Sequence, residues 1–147
     1  MTTMPDEVIK MFENIDCDKT KVLTWVATVT KEGDPHMAPV CFVKPIDKDK
    51  LLIGISFAMQ TVKNIQNGSR VTVANAIYPN GYMVKGKGEI FTEGPYFNDY
   101  KERIEKRFAG KIKPKAALLV HIEEAYHLKP AEGKKRIDNA DKLGSVC

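Results

Sequence analysis

The sequence predicts a single-domain, mainly β protein in which about six antiparallel strands close into a barrel plugged by two or three short helices. Segments dense in β-branched and aliphatic residues recur between turn signals from Val22 to Leu128. Stretches of helical spacing stand before and between them. Apolar residues run from Val8 to Leu128 without a linker, an internal repeat or a low-complexity tract, so nothing divides residues 1–147.

The elements follow in order. Val8, Ile9, Phe12 and Ile15 share a helical face behind Pro5, with Thr3 and Asp6 spaced as a capping pair, which predicts a short amphipathic helix. From Lys21 the period changes. Val22–Thr30 and His36–Lys44 read as strands around the turn at Lys31–Asp34, and Leu51–Ile55 is an apolar run too short for a typical helix but long enough for a buried strand. Thr61–Asn67 carries Val62 and Ile65 behind a candidate N-cap at Thr61 and stops at Asn67-Gly68, which predicts one or two turns of helix. Arg70–Tyr78 and Tyr82–Thr92 are paired strands around Pro79-Asn80-Gly81. After Glu93-Gly94-Pro95, the residues Phe97, Tyr100, Ile104 and Phe108 mark a second amphipathic helix that ends at Gly110. Ala116–Leu128 is the last strand. The core therefore spans about residues 20–128, and residues 129–147 form a polar tail.

Bulk chemistry removes several function classes. A composition of 43% hydrophobic and 29% charged residues is ordinary for a globular chain, and a net charge of +4 is only mildly basic. No apolar run approaches the roughly 20 residues that span a bilayer, and the first residues lack a basic start or an apolar stretch, so the expectation is a cytoplasmic protein with no membrane partner. Cys17, Cys41 and Cys147 are odd in number and widely spaced, which predicts neither a disulfide framework nor a zinc knuckle and fits a reducing compartment. His36, His121 and His127 have no carboxylate or cysteine at ligand spacing, so no metal site is expected.

Other motifs have bland readings. Gly81–Lys87 matches the start of a phosphate-binding loop, but Gly88 stands where a Ser or Thr must hold magnesium, and the segment reads as strand. Lys129, Lys134, Lys135 and Arg136 are diluted by Glu132, Asp138 and Asp141, so a solvated surface is favoured over a nucleic-acid arm. Tyr82 and Phe91 are an odd number of residues apart and face opposite ways on a regular strand, against a single-strand-binding face; nucleic acid is not expected. Trp25 reads as core packing by default, with ligand stacking as the minority case.

Ser56–Asn67 is the most informative stretch. A strand end running into a helix start gathers unpaired N–H groups and a positive dipole end, a natural seat for an anion; Thr61 could add a hydroxyl and Lys63 a charge, against the plain reading of a helix cap.

The order of these pieces resembles the pyridoxamine-phosphate-oxidase-like FMN-binding split-barrel family over roughly Val22–Leu128. The pieces are Ala27-Thr28-Val29, Pro35 to Phe42, Leu51–Ile55, Met59 to Ile65, Arg70-Val71, and Val84 to Glu89 leading into Thr92-Glu93-Gly94. The resemblance implies a six-stranded antiparallel split barrel of Greek-key type that binds FMN. It implies that Ala38, Pro39, Val40 and Cys41 lie along the flavin and that Gly54 and Ile55 border it. It also implies that Met59, Gln60, Thr61 and Asn64 meet the phosphate.

Where many members carry a basic pair, this chain has Gln60-Thr61, which removes a positive charge; Lys63, Lys85, Lys87 or main-chain N–H groups would compensate. The resemblance further implies a homodimer with flavin at the subunit interface, reduced by a nicotinamide donor or a redox partner protein. The tail lacks the tryptophan and Arg-rich stretch of the vitamin B6 oxidase, so that chemistry is not expected. Cys41 reads as a small apolar filler beside the flavin, with tuning of the ring as the alternative. The rival to a flavoprotein is a non-catalytic module for haem, a deazaflavin or single-stranded nucleic acid. The flavin reading needs no catalytic side chain, because the cofactor carries the chemistry.

Overall fold

Alternation within the strands sets the two faces of the sheet. The structure, a computed structural model, describes residues 2–14 and 19–138. Ile15, Cys17, Asp141 and Cys147, and with them the whole of the predicted tail beyond Asp138, lie outside the described residues. In β1 (Thr24–Val29), Thr24, Val26 and Thr28 are buried, while Trp25 and Val29 face out. Trp25 is thus a surface residue, not the core residue that its type suggests.

The element order is α1 (Asp6–Asn14), β1, β2 (Pro35–Val40), β3 (Val43–Asp47), β4 (Lys50–Ile55), α2 (Met59–Gln66), β5 (Val71–Ile77), β6 (Asn80–Phe91), α3 (Pro95–Phe108), β7 (Ala116–Lys129) and β8 (Gly133–Arg136). Every strand pairing is antiparallel, in the order β2-β1-β5-β6-β7-β4-β3, with β8 added to β7. β2 runs into β3 through Cys41-Phe42, and the Gly54 N–H donates to the Phe42 carbonyl at 3.1 Å, which draws the ends of this path together. β2 is an outer strand paired to β1, and it carries Pro35 and Pro39.

The class is the one expected, but the described residues hold eight strands where six were predicted. The single strand His36–Lys44 is in fact β2 and β3, broken at Cys41-Phe42. The polar tail contributes β8, whose backbone pairs with Tyr126–Lys129 while its side chains stay exposed.

The core holds Val26, Val40, Ile53, Val73, Val84 and Leu118, each worth about 1.5–3 kcal/mol on full burial. β4 is buried almost end to end, because α3 covers the face that the core does not. α1, with Val8 and Phe12, and Met4 just before it close one end, and Glu7 of α1 accepts the Tyr82 hydroxyl at 3.0 Å. α2 plugs the barrel through Thr61, Val62, Asn64 and Ile65. Register shifts in the β6–β7 pairing after Lys85, where β7 carries an extra residue. Inward positions on β7 change there from Val120 and Ile122 to Ala125. Among the described residues no helix is long and apolar enough to cross a membrane.

Candidate functional site

A cavity of about 360 Å³ opens between the end of β2, the end of β4 and α3. Pro39, Val40 and Cys41 form one wall, and Gly54 and Ile55 the next; Ser56, Phe57 and Ala58 carry the lining to the start of α2. The third wall is α3, with Tyr100, Arg103, Ile104, Arg107 and Phe108. Among the described residues the lining is mainly apolar and contains no Asp or Glu.

Gly54 is what lets α3 approach. A Cβ built there would overlap the Tyr100 ring, so the absence of a side chain on β4 creates the slot that Tyr100 fills. The Tyr100 and Ser56 hydroxyls are 2.5 Å apart, and burial pushes the Tyr100 phenol above its ordinary value, with the Ser56 bond opposing. Phe42 packs against Tyr100 at 5.1 Å between ring centroids.

α2 starts at Met59, two residues before the predicted Thr61. Its N-cap is Ala58, which offers no side-chain hydrogen bond, and Thr61 lies inside the first turn. The N–H groups at this end therefore lack the side-chain cap that the expected Thr61 position would supply. Thr61 is fully buried, and its Oγ1 has no hydrogen-bond partner. Leaving a hydroxyl in that condition costs on the order of 1–3 kcal/mol, and Thr24 Oγ1 and the side-chain amide of Asn75 share it.

The structure brings Pro39, Val40, Cys41, Gly54 and Ile55 together in the cavity wall. Ala38 is buried in β2 outside it, Met59 and Gln60 are exposed on α2, and Asn64 is buried with its polar atoms engaged. Asn64 Nδ2 donates to Thr28 Oγ1 at 3.0 Å, and Gln60 Nε2 donates to Asn64 Oδ1 at 2.7 Å. Lys63 is exposed on α2, and Lys85 lies 5.7 Å from the Tyr126 ring on the outer side of β6; neither lines the cavity.

Sequence reasoning missed the α3 wall. Its residues were visible as an amphipathic face, but nothing local tells which strand that face covers. Cys41 also departs from the expectation: it is disulfide-bonded, with both other cysteines outside the described residues, and Arg107 Nη1 approaches its Sγ at 3.6 Å. Wide spacing along a chain carries no information about distance through space, which is why the count of three gave no signal.

Comparison with known proteins places this geometry. The chain resembles HupZ of Group A Streptococcus, with a TM-score of 0.71 and 26% identity over 90% of this chain and 98% of that one. An FMN-binding protein from Syntrophomonas wolfei shares the fold at a TM-score of 0.69, with 16% identity over 82% of this chain and 87% of the other. An uncharacterised protein of Methanocaldococcus jannaschii is 32% identical over 134 residues, which is 88% of this chain and 89% of its own length. A sequence profile described as pyridoxamine 5'-phosphate oxidase matches residues 18–129, a span that takes in both strand walls, α2 and α3; the chain belongs to that family.

Proposed function

We propose that this chain binds FMN along the β2–β4 wall, with the phosphate at the start of α2, and serves as a redox protein. One observation carries the reading. Five of the six residues that the family resemblance sets beside a flavin, Pro39, Val40, Cys41, Gly54 and Ile55, line the cavity, and that lining continues through Ser56–Ala58 to a helix start with no side-chain cap. Main-chain N–H groups at that start would donate to the phosphate, and the buried Thr61 Oγ1, which has no partner, lies in the same first turn. That the described lining holds two arginines, Arg103 and Arg107, and no carboxylate suits a cofactor that carries negative charge.

FMN, when bound, supplies hydride and single-electron transfer through its ring. The chain's own part is binding and environment. Val40 and Ile55 exclude water from one side, and Tyr100, its phenol pushed upward by burial, remains a neutral hydroxyl held by Ser56. Electrons come from a nicotinamide donor or a redox partner protein.

The partner in assembly is a second copy of the chain. Trp25 is opposite Pro39, and Ala27 opposite Met37, on the outward face of β1 and β2. Trp25 and Met37 are 43% and 60% exposed, an apolar surface continuous with the cavity through Pro39. Packing two such faces together would bury both surfaces and complete the cavity mouth.

The absorption spectrum of the freshly purified protein tests the reading, followed by heat release and chromatography of any yellow compound. The expected result is a flavin spectrum with about one FMN per chain. A colourless protein that also fails to take up added FMN would overturn it.

A further inference from the structure

The inward faces of β1 and β5 carry three polar side chains among aliphatic ones: Thr24 and Thr28 on β1, and Asn75 on β5. Thr28 is provided for, because Asn64 of α2 donates to its hydroxyl at 3.0 Å. Thr24 and Asn75 are not. They are 1% and 4% exposed, and Thr24 Oγ1, Asn75 Oδ1 and Asn75 Nδ2 find no hydrogen-bond partner among the described residues.

These atoms belong to one place. Trp25 is opposite Ala74 in the antiparallel pairing of β1 and β5, so the next step along the ladder sets Thr24 opposite Asn75 on the inner face. Side chains so placed start roughly 4.5–5.5 Å apart at Cβ. Their neighbours in the same row do not serve them. Val40, beside Thr24, has no polar side-chain atom, and Tyr82, beside Asn75, donates its hydroxyl to Glu7 at 3.0 Å. Neither Thr24 nor Asn75 lines the cavity against α3, so the pair is apart from the surface assigned to the flavin.

A buried polar group gives up its bonds to solvent when the chain folds, and nearly all such groups regain one, to protein or to ordered water. An internal water takes roughly two to four polar partners. This pair supplies an amide oxygen that accepts, an amide nitrogen that donates and a hydroxyl that does both. None of them carries charge, which suits a neutral ligand, and exposure this low admits nothing larger than a solvent molecule.

We infer that ordered water binds inside the barrel between β1 and β5, bridging the Thr24 hydroxyl and the Asn75 side-chain amide. The bridge joins β1 to β5 near one end of their pairing, as the Thr28–Asn64 bond joins β1 to α2. The site is independent of the FMN reading.

Water–protein cross-relaxation spectra of the isotope-labelled full chain, recorded with and without added FMN, test the inference together with a high-resolution crystal structure. The expected result is a long-lived water signal at the Asn75 side-chain NH2 in both samples, and ordered density within hydrogen-bond distance of Thr24 Oγ1 and the Asn75 amide. Thr24→Val keeps the volume but removes one anchor, and is expected to lose the signal at Asn75. Thr72→Val, on the other face of β5, is expected to keep it. Should Thr24→Val fail to fold, the spectra and density of the parent decide alone.

A direct bond between Thr24 Oγ1 and the Asn75 amide, or a dry space between them, overturns the inference. So does a water signal at Asn75 that Thr24→Val leaves unchanged.

Discussion

The Tyr100 ring occupies the space that a side chain at position 54 would need, so β4 and α3 are fitted to each other at Gly54. Gly54→Ala is expected to force Tyr100 out of its slot and to cost about 1–3 kcal/mol, the range for overpacking a filled core. Thermal or denaturant melts of Gly54→Ala, Tyr100→Ala and the double variant check this. If the overlap is the cause, the double variant is more stable than the sum of the singles allows.

Asn64 joins α2 to β1 through Thr28, with Gln60 completing the chain of bonds. Asn64→Ala strands the buried Thr28 hydroxyl, and the expected loss is about 1–3 kcal/mol. Pairing Asn64→Leu with Thr28→Val removes donor and acceptor together and should recover much of it. A double variant no more stable than Asn64→Ala would mean that the pair contributes by shape alone.

Thr61 allows a prediction with two signs. Thr61→Val keeps the volume and removes a buried oxygen that has no partner, so the flavin-free protein is expected to gain up to about 1 kcal/mol. FMN affinity, measured by fluorescence titration, is expected to fall about tenfold as one phosphate contact is lost. Loss of stability without loss of affinity would show that the hydroxyl serves the fold.

Glu124 ties stability to pH. The Tyr126 hydroxyl, donating at 2.5 Å, and then Arg70 hold its carboxyl below the ordinary glutamate range. A depressed folded-state value means that the contribution is fully present above the unfolded-chain value of about 4.3 and fades as pH falls through the lower folded value. Glu124→Gln should therefore melt earlier than the parent near pH 7, and the gap should close as the pH is taken below about 4. A gap that persists unchanged in acid would assign the loss to packing.

Much of the fold is written locally. Val26 and Val73 face inward because alternation with their neighbours fixes their side, and the stop at Asn67-Gly68 is a matter of adjacent residues. What the sequence hides depends on contacts distant along the chain. The break between β2 and β3 at Cys41-Phe42 lies where the chain leaves β1 and begins to pair with β4, starting with the Gly54 bond to the Phe42 carbonyl. β8 forms on charged residues because β7 offers it backbone partners. The candidate site divides the same way. Its β2 and β4 walls were legible through resemblance, while Tyr100, Arg103 and Arg107 become site residues only once α3 is known to cover β4. Trp25 faces outward because Val26 beside it claims the interior.

Pro35 and Pro39 have a bearing on how copies of this molecule can grow into larger assemblies. On an outer strand, prolines sit where the amide would point to solvent, so alternate positions of the exposed rim of β2 are stripped of donors. Met37, between them, is left with the one outward amide in that trio. A strand from a neighbour finds too few donors on β2 to extend the ladder from that edge. The face-to-face pairing proposed for two copies does not use this rim, and would remain a finite assembly.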